Sequence, residues 1–286
     1  MIWEAVEPRS LFQSKGRTLI TYEGHGEYQV NAVAWSPEGK YIASGSEKQT
    51  TAHAETLQVW NANTGQITIV YRGHDDQSVY ALAWSPEGKR IAIAFVGLAQ
   101  VWEVATGKVL TTYRGHDSSQ MSTSIRPRVD SIAWSPDGKY IASATQYDNS
   151  VAVWEAATGM LQSKYRHHCH GVCSISWSPD GKFIAIGSTD RGVYIWDVTT
   201  QVIRLMHSRA DDRREELVVA WSSDGMRIAS SLHNSIEIWD SLTGNTLFTY
   251  NGHPRLSKVD ALAWSPDGKR IASGGTDRQI HVWEPK

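Results

Sequence analysis

Three residues near the C-terminal end, His253, Ser273 and Asp277, have the make-up of a nucleophilic triad: a hydroxyl, an imidazole to take its proton and a carboxylate to orient the ring. The same residue types return as His116, Ser143 and Asp148. That recurrence argues against catalysis, because an enzyme needs one nucleophile, not one per unit of a repeat. No Gly-x-Ser-x-Gly elbow occurs, and no His-Glu-x-x-His pair. Every Gly-Lys is followed by Tyr, Arg, Val or Phe, never by the Ser or Thr of a phosphate-binding loop. A second cluster, His167-His168-Cys169-His170 with Cys173 beyond it, offers imidazole and thiolate ligands. Its spacing fits no zinc pattern, and His168 falls in register with a repeated Gly-His. No catalytic residue, metal or cofactor is therefore expected. In an extended segment the two cysteines lie about 13 Å apart, beyond the roughly 7 Å reach of a disulfide. Two free thiols point to a reducing, cytoplasmic setting.

The elements that hold these residues show in the aromatic composition. The chain of 286 residues has 13 Trp and 11 Tyr but only 4 Phe. Ala-Trp-Ser-Pro-(Asp/Glu)-Gly-Lys recurs at Trp35, Trp84, Trp134 and Trp264, with close variants at Trp177 and Trp221. A second series, apolar-Trp-acidic or nearly so, runs Trp60, Trp102, Trp154, Trp196, Trp239 and Trp283. Only Trp3 stands outside both. Each unit reads as short β-rich runs A, B and C separated by Pro-Asp-Gly and Gly-Thr-Asp turns, with a fourth run D after a Thr-Gly turn. No stretch has the pattern of a long amphipathic helix.

These units resemble WD40 repeats over residues 18–286. The markers are Gly-His before strand A (Gly24-His25, Gly73-His74, Gly115-His116, Gly252-His253), Ser-Pro-Asp-Gly after it, and Val-Trp-(Asp/Glu) in strand C. A rival propeller repeat shares Trp-Ser-Pro-Asp-Gly-Lys but usually lacks the Gly-His and the strand C tryptophan. The resemblance implies an all-β fold, a β-propeller of four-stranded blades. Six units are countable, and the last has no strand D. Residues 18–22 are expected to complete it as an outer strand, leaving residues 1–17 as an N-terminal extension; seven blades is the alternative. Met1-Ile2-Trp3-Glu4 resembles the end of a strand C. The resemblance also implies that His116, Ser143, Asp148 and Trp154, and likewise His253, Ser273, Asp277 and Trp283, form structural hydrogen-bond networks. The indole N–H donates there, so Phe cannot substitute. Blade 1 lacks the Asp, blade 2 has Ile93 for the Ser, and blade 4 has Ile186.

The resemblance further implies a non-enzymatic scaffold that binds a protein or peptide on the face shared by the D–A and B–C loops. Those loops vary in length between repeats, with insertions around Ser118 to Arg128 and Arg209 to Glu216, and variable loops on a rigid frame are where binding concentrates. The position four before each strand A tryptophan should line the mouth of the central channel: Asn31, Tyr80, Asp130, Cys173, Leu217 and Asp260. Tyr147, Thr189 and Thr276 should join them, with Arg255 and Lys258 as basic contacts facing Glu23, Glu27, Glu47, Glu55, Asp75 and Asp76 across the face. A propeller enzyme or a small-ligand or metal binder at the mouth is the alternative. With 28 basic and 30 acidic residues the net charge is −2, so no nucleic-acid partner is expected. The longest apolar run, from Ile91 to Ala99, falls far short of the roughly 20 residues of a membrane span, and the first residues have no signal-peptide pattern. A cytoplasmic monomer is expected, and the regularity of the repeats is similar to that of bacterial WD40 proteins.

Overall fold

The Ser-Pro-(Asp/Glu)-Gly segment builds a tight turn from its own side chains. The Ser135 hydroxyl donates to Asp137 Oδ1 at 2.6 Å and accepts the Tyr140 amide at 2.9 Å, while Gly138 takes a φ of 68°. That left-handed φ crowds a Cβ, which is why the position is glycine. The same amide-to-serine bond forms at Ser36, Ser85, Ser178, Ser222 and Ser265. Between strands C and D a side-chain carbonyl or carboxylate does the equivalent work. Asp240 Oδ1 accepts the Leu242 and Thr243 amides, and Asn61 and Asp197 act alike. Gly65, Gly107, Gly159 and Gly244 close these turns at positive φ, and in blade 4 Gln201 holds that conformation at 60°.

The structure, a computed structural model, describes residues 2–3, 18–47, 56–71, 77–116, 127–166, 171–190, 192–208 and 216–285. The His167–His170 cluster, Gly73-His74, residues 117–126 and 209–215, and Glu55, Asp75, Asp76 and Arg191 lie outside them. The described elements are all strands. Two short ones come first, β1 (Ile2–Trp3) and β2 (Thr18–Ile20). Blade 1 follows as β3 (Val30–Trp35), β4 (Tyr41–Ser46), β5 (Leu57–Asn61) and β6 (Ile67–Tyr71). Blade 2 is β7 (Ala81–Trp84), β8 (Arg90–Ala94), β9 (Ala99–Glu103) and β10 (Val109–Tyr113). Blade 3 is β11 (Ser131–Trp134), β12 (Tyr140–Thr145), β13 (Ser150–Glu155) and β14 (Leu161–Arg166). Blade 4 is β15 (Val172–Trp177), β16 (Phe183–Ser188), β17 (Gly192–Asp197) and β18 (Val202–Ser208). Blade 5 is β19 (Val219–Trp221), β20 (Arg227–Leu232), β21 (Ser235–Asp240) and β22 (Thr246–Tyr250). Blade 6 has three strands, β23 (Val259–Trp264), β24 (Ile271–Gly275) and β25 (Ile280–Trp283). In every blade the strands pair antiparallel in chain order, the up-and-down meander of a propeller blade, so the fold is an all-β six-blade propeller. Among the described residues no helix is long and apolar enough to cross a membrane.

Neighbouring blades are joined through strand A. Its alternation sends Leu82 and Trp84 backwards onto Leu57 and Val59 of blade 1, and Ile132 and Trp134 onto Ala92 and Val101 of blade 2. Fully burying one such aliphatic side chain stabilises by about 1.5–3 kcal/mol, and these contacts repeat at the five seams from blade 1 to blade 6. Trp84, Trp134, Trp177 and Trp264 also donate their indole N–H to a strand A carbonyl of the blade before, Ala34, Ala83, Ala133 and Ala220. Trp221 instead donates within its own blade, to the Gly225 carbonyl.

The seam from blade 6 back to blade 1 is different. Trp35 is 49% and Val33 64% exposed, although their counterparts Trp84 and Leu82 are buried. On blade 6, Ile280 and Val282 are 59% and 53% exposed, whereas the matching Leu57 and Val59 are at 0% and 1%. The expected closure of blade 6 by residues 18–22 is therefore corrected. β2 pairs with β1, not with β25. Beyond β2, Tyr22 stacks on Trp60 of blade 1 at 4.3 Å, the contact that a strand D ring such as Tyr71 makes with the strand C tryptophan of the next blade, and Ile20 packs on the same blade.

Candidate functional site

The triad-like residues come together inside the blades. His253 Nε2 lies 2.8 Å from Ser273 Oγ and its Nδ1 2.7 Å from Asp277 Oδ2, while Trp283 Nε1 donates to Ser273 Oγ at 3.3 Å. In blade 3 His116 Nε2 meets Ser143 Oγ at 2.8 Å and Trp154 Nε1 donates to the same oxygen at 3.0 Å. Asp148 stands 3.9 Å from His116 Nδ1, beyond hydrogen-bond range. It is held instead by the Lys164 ammonium at 2.9 Å and by the Ser150 hydroxyl, so the expected four-membered network has three members in blade 3. Burial alone would raise the Asp148 carboxyl, but these donors and the nearby imidazole outweigh it and hold the group well below the carboxylate range. Blade 1 repeats the arrangement without an acid, through His25, Ser44 and Trp60. Ser143 and Ser273 are at 0% and 1% exposure, so neither oxygen can meet a substrate, and each already accepts an indole N–H. This chemistry ties strand B, strand C and the preceding loop together.

Where the serine is replaced, the indole finds another answer or none. Trp102 donates to Gln100 Oε1 beside Ile93, and Trp196 beside Ile186 has a buried N–H without a partner among the described residues. Trp239 keeps its serine, Ser230.

Among the described residues, the group that comes nearest to a metal-binding set is His253, Asp277 and His281, whose ligand atoms lie within 4.8 Å of one another. Both His253 nitrogens are engaged by Asp277 and Ser273, and His281 Nδ1 by the Tyr250 hydroxyl at 2.8 Å. A cation there would have to displace those bonds. Burial first, and then the neighbouring His253, lowers the pKa of His281, which keeps that ring neutral.

At the end of the channel where D–A and B–C loops meet, polar side chains form a continuous chain. The Arg128 guanidinium lies over the Tyr80 ring at 5.2 Å and bonds Asp130 Oδ1 at 2.5 Å. Asp130 Oδ2 accepts the Gln146 amide at 2.8 Å, and Gln146 Nε2 donates to Glu216 Oε1 at 3.2 Å. Glu216 Oε2 takes Lys258 Nζ at 3.1 Å, and Lys258 reaches Asp260 Oδ1 at 3.3 Å. Gln146 follows β12 of blade 3 and Glu216 precedes β19 of blade 5, so their bond links loops of two blades that are not neighbours in the chain. Burial raises the Asp130 carboxyl despite Arg128 and the Gln146 amide. Burial would also raise Glu216, but Lys258 and Gln146 hold it down, and Glu216 in turn raises Lys258 against its own desolvation. Burial pushes the Cys173 thiol up to about 12, with Glu216 and Asp130 adding to the effect.

The structure thus brings Tyr80, Asp130, Lys258 and Asp260 into one chain of contacts. Thr189 and Thr276 brace the same loops, accepting the Gly171 and Lys258 amides. Tyr147 and Arg255 stand exposed beside them. Asn31 is turned aside, its amide donating to the Val79 carbonyl. Leu217 is corrected: at 3% exposure it packs in the core with Val193 and Trp239, because strand alternation turns it inward and brings its neighbour Glu216 to the mouth. Lys258 is an internal partner of Glu216 and Asp260 rather than a free basic contact. In the sequence Gln146 belongs to no motif, and Glu216 stands only at the end of an insertion. Their partners lie far along the chain and no local motif marks them.

The family model described as "WD domain, G-beta repeat" matches residues 16–61, 65–97, 107–155, 159–197 and 244–284. That is well over half of the sequence, and the chain belongs to the WD40 family, whose propellers are typically used for protein–protein interaction. Among curated proteins it is similar to Periodic tryptophan protein 2 of Arabidopsis thaliana, at 26% identity over 241 residues. The match covers 82% of this chain and 24% of the relative, so the chain spans about a quarter of that protein's length.

Proposed function

We propose that this protein is a non-enzymatic scaffold that holds a peptide or protein segment across the channel mouth, acting as a monomer in a cytoplasmic setting. The observation that carries the reading is the side-chain chain from Tyr80 through Arg128, Asp130, Gln146, Glu216 and Lys258 to Asp260. It fixes loops of four blades into a firm rim with exposed Tyr147 and Arg255 beside it. A preorganised polar rim with an aromatic anchor loses little freedom on binding. The family's usual role and the burial of every triad-like serine support recognition rather than catalysis. A peptide partner is the chemistry this rim suits, since the even balance of acid and base gives nothing to attract nucleic acid.

Affinity purification from the source organism with the native chain and with an Arg255→Glu/Lys258→Glu variant tests this. Loss of the recovered partners in the variant is the expected result. An unaltered set of partners, at an unaltered melting temperature, would place binding elsewhere.

A further inference from the structure

The strand ends opposite the channel mouth carry the A–B and C–D turns, and there the seam between blades 4 and 5 departs from its neighbours. Trp84, Trp134, Trp177 and Trp264 each send their indole N–H across a seam to the blade before. Trp221 turns its indole to the Gly225 carbonyl of its own blade at 3.0 Å, and the Ser176 hydroxyl of blade 4 takes its backbone amide at 3.0 Å. The Ser241 hydroxyl donates to the same Gly225 carbonyl at 2.9 Å. A cleft of about 370 Å³ lies at this seam, and the residues that line it belong to blades 4 and 5. One wall is a stack of three flat groups: the Arg204 guanidinium sits 4.9 Å over the Phe183 ring, and Phe183 stacks on Trp221 at 6.4 Å. Leu205 of blade 4 and Leu242 of blade 5 complete an apolar lining.

The repeat itself shows that this lining is a departure. Met226 stands where the other blades have Lys40, Lys89, Lys139, Lys182 and Lys269, and Leu242 stands where they have Asn63, Ala105, Ala157 and Thr199. Both are bare, at 67% and 80% exposure, and the Ser241 amide donates to the Met226 carbonyl, so the two apolar side chains stand side by side on the blade 5 lip. The charges divide unevenly. Asp180 accepts the Ser178 hydroxyl and the Lys182 amide, with Lys182 Nζ 3.8 Å away. Asp224 holds Arg227 at 2.8 Å and accepts the Met226 amide. Each carboxylate at the cleft thus has its own cation. Arg204 forms no ion pair or hydrogen bond among the described residues, and Asp197, on which it acts at longer range, already accepts the Thr199 and Thr200 amides. The cleft therefore joins an apolar wall and lip to one unpaired guanidinium.

We propose that this cleft docks an apolar, acidic peptide segment of a partner protein. One large apolar side chain, leucine or phenylalanine, enters between the Phe183–Trp221 wall and Leu242, and a carboxylate close to it in the segment pairs with Arg204. The volume is that of a site for a single anchor, and a concave pocket that desolvates one such anchor is where binding energy concentrates. The apolar surface runs on past the cleft over Met226 and Leu242, which a free small acid would leave bare and a peptide segment covers. Complementary charge fixes the segment's direction, and a guanidinium stacked on an aromatic ring is held ready for a planar carboxylate. The site lies on the face opposite the mouth and does not depend on the reading given for the mouth.

The test selects random peptides displayed on phage against the full chain. Enriched sequences should carry leucine or phenylalanine with Asp or Glu close by. A synthetic peptide of the commonest sequence should shift the Met226 methyl resonance in a chain labelled with [13C-methyl]methionine, where only five methionines contribute. Met226→Lys/Leu242→Thr restores the residue types of the other blades, so its melting temperature should stay within about 2 °C of the native chain. Its affinity for the peptide should fall about tenfold or more. Arg204→Glu should lose as much, and a peptide with its acid changed to lysine should regain binding to that variant. Arg255→Glu/Lys258→Glu, at the mouth, should bind as the native chain does, which separates this site from that one. Several results would overturn the proposal: a selection that enriches nothing, one that enriches basic peptides, or binding that survives Met226→Lys/Leu242→Thr. A Met226 shift with 3-phenylpropionate but with no displayed peptide would also overturn it, and would make the cleft a small-acid site.

Discussion

A tryptophan that reaches the serine of its own blade is a donor matched to a buried acceptor; one that does not is a large apolar side chain with an unmet N–H. Trp154 belongs to the first kind and Trp196 to the second. Replacing either by Phe removes similar ring area, so the difference between the two isolates the hydrogen bond. Trp154→Phe should cost about 1 kcal/mol more than Trp196→Phe in urea unfolding, and equal losses would show that the indole bond contributes nothing. Asp148 adds a pH signature. Its carboxyl is depressed, so its contribution is complete above the ordinary value of 3.8 and drains away as the pH falls beneath it. Asp148→Asn should lower stability by about 1–3 kcal/mol at neutral pH. The gap to the native chain should then narrow progressively below pH 3.8. A gap that stays constant down to strongly acid pH would mean that the ion pair with Lys164 is inert.

At the scale of the element, the turns were the most legible part of the sequence. Ser, Pro, Asp and Gly at fixed offsets satisfy one another within five residues, so the chemistry is local and the words of the repeat spell it. The strand C network was legible where a serine on strand B stands beside a tryptophan on the neighbouring strand C, as at Ser143 and Trp154. It was less so where Asp148 turned to Lys164, since Lys164 lies on strand D and no motif ties it to the acid. Residues 18–22 read as a strand D whichever strand they pair with. What decides their position is the pairing of β2 with β1, which no local motif encodes. One turn departs from its own rule. Gln201 holds a φ of 60° where four other blades use glycine. A left-handed non-glycine residue costs about 1–2 kcal/mol, partly offset by the greater freedom that glycine loses on folding. Gln201→Gly should therefore raise stability by about 0.5–1 kcal/mol in thermal melts, whereas Gly244→Gln should lower it; opposite signs would show that the turn relaxes without cost.

For the whole molecule, the five closed seams supply rigidity and the mouth gathers their loops. That is why the mouth could not be read from sequence beyond a set of positions: Gln146 and Glu216 are brought together by the curvature of the ring, which no local pattern encodes. Glu216 is the hub, accepting from Gln146 on one side and Lys258 on the other. Because its side chain is half exposed, removing it should cost little stability, within about 1 kcal/mol. The effect should appear instead as local freedom. Asp130 is raised above its ordinary value of 3.8 by burial, and Glu216 is held below its ordinary value of 4.5. Hydrogen exchange at residues 146–147 and 257–258 should therefore loosen as the pH falls through the range in which the two carboxylates protonate. Glu216→Gln should show part of that loosening already at neutral pH and keep the part that belongs to Asp130. If the variant and the native chain exchange alike at every pH, Glu216 does not couple the blades, and the rim is held by the backbone bonds of Asp130 and Thr276 alone.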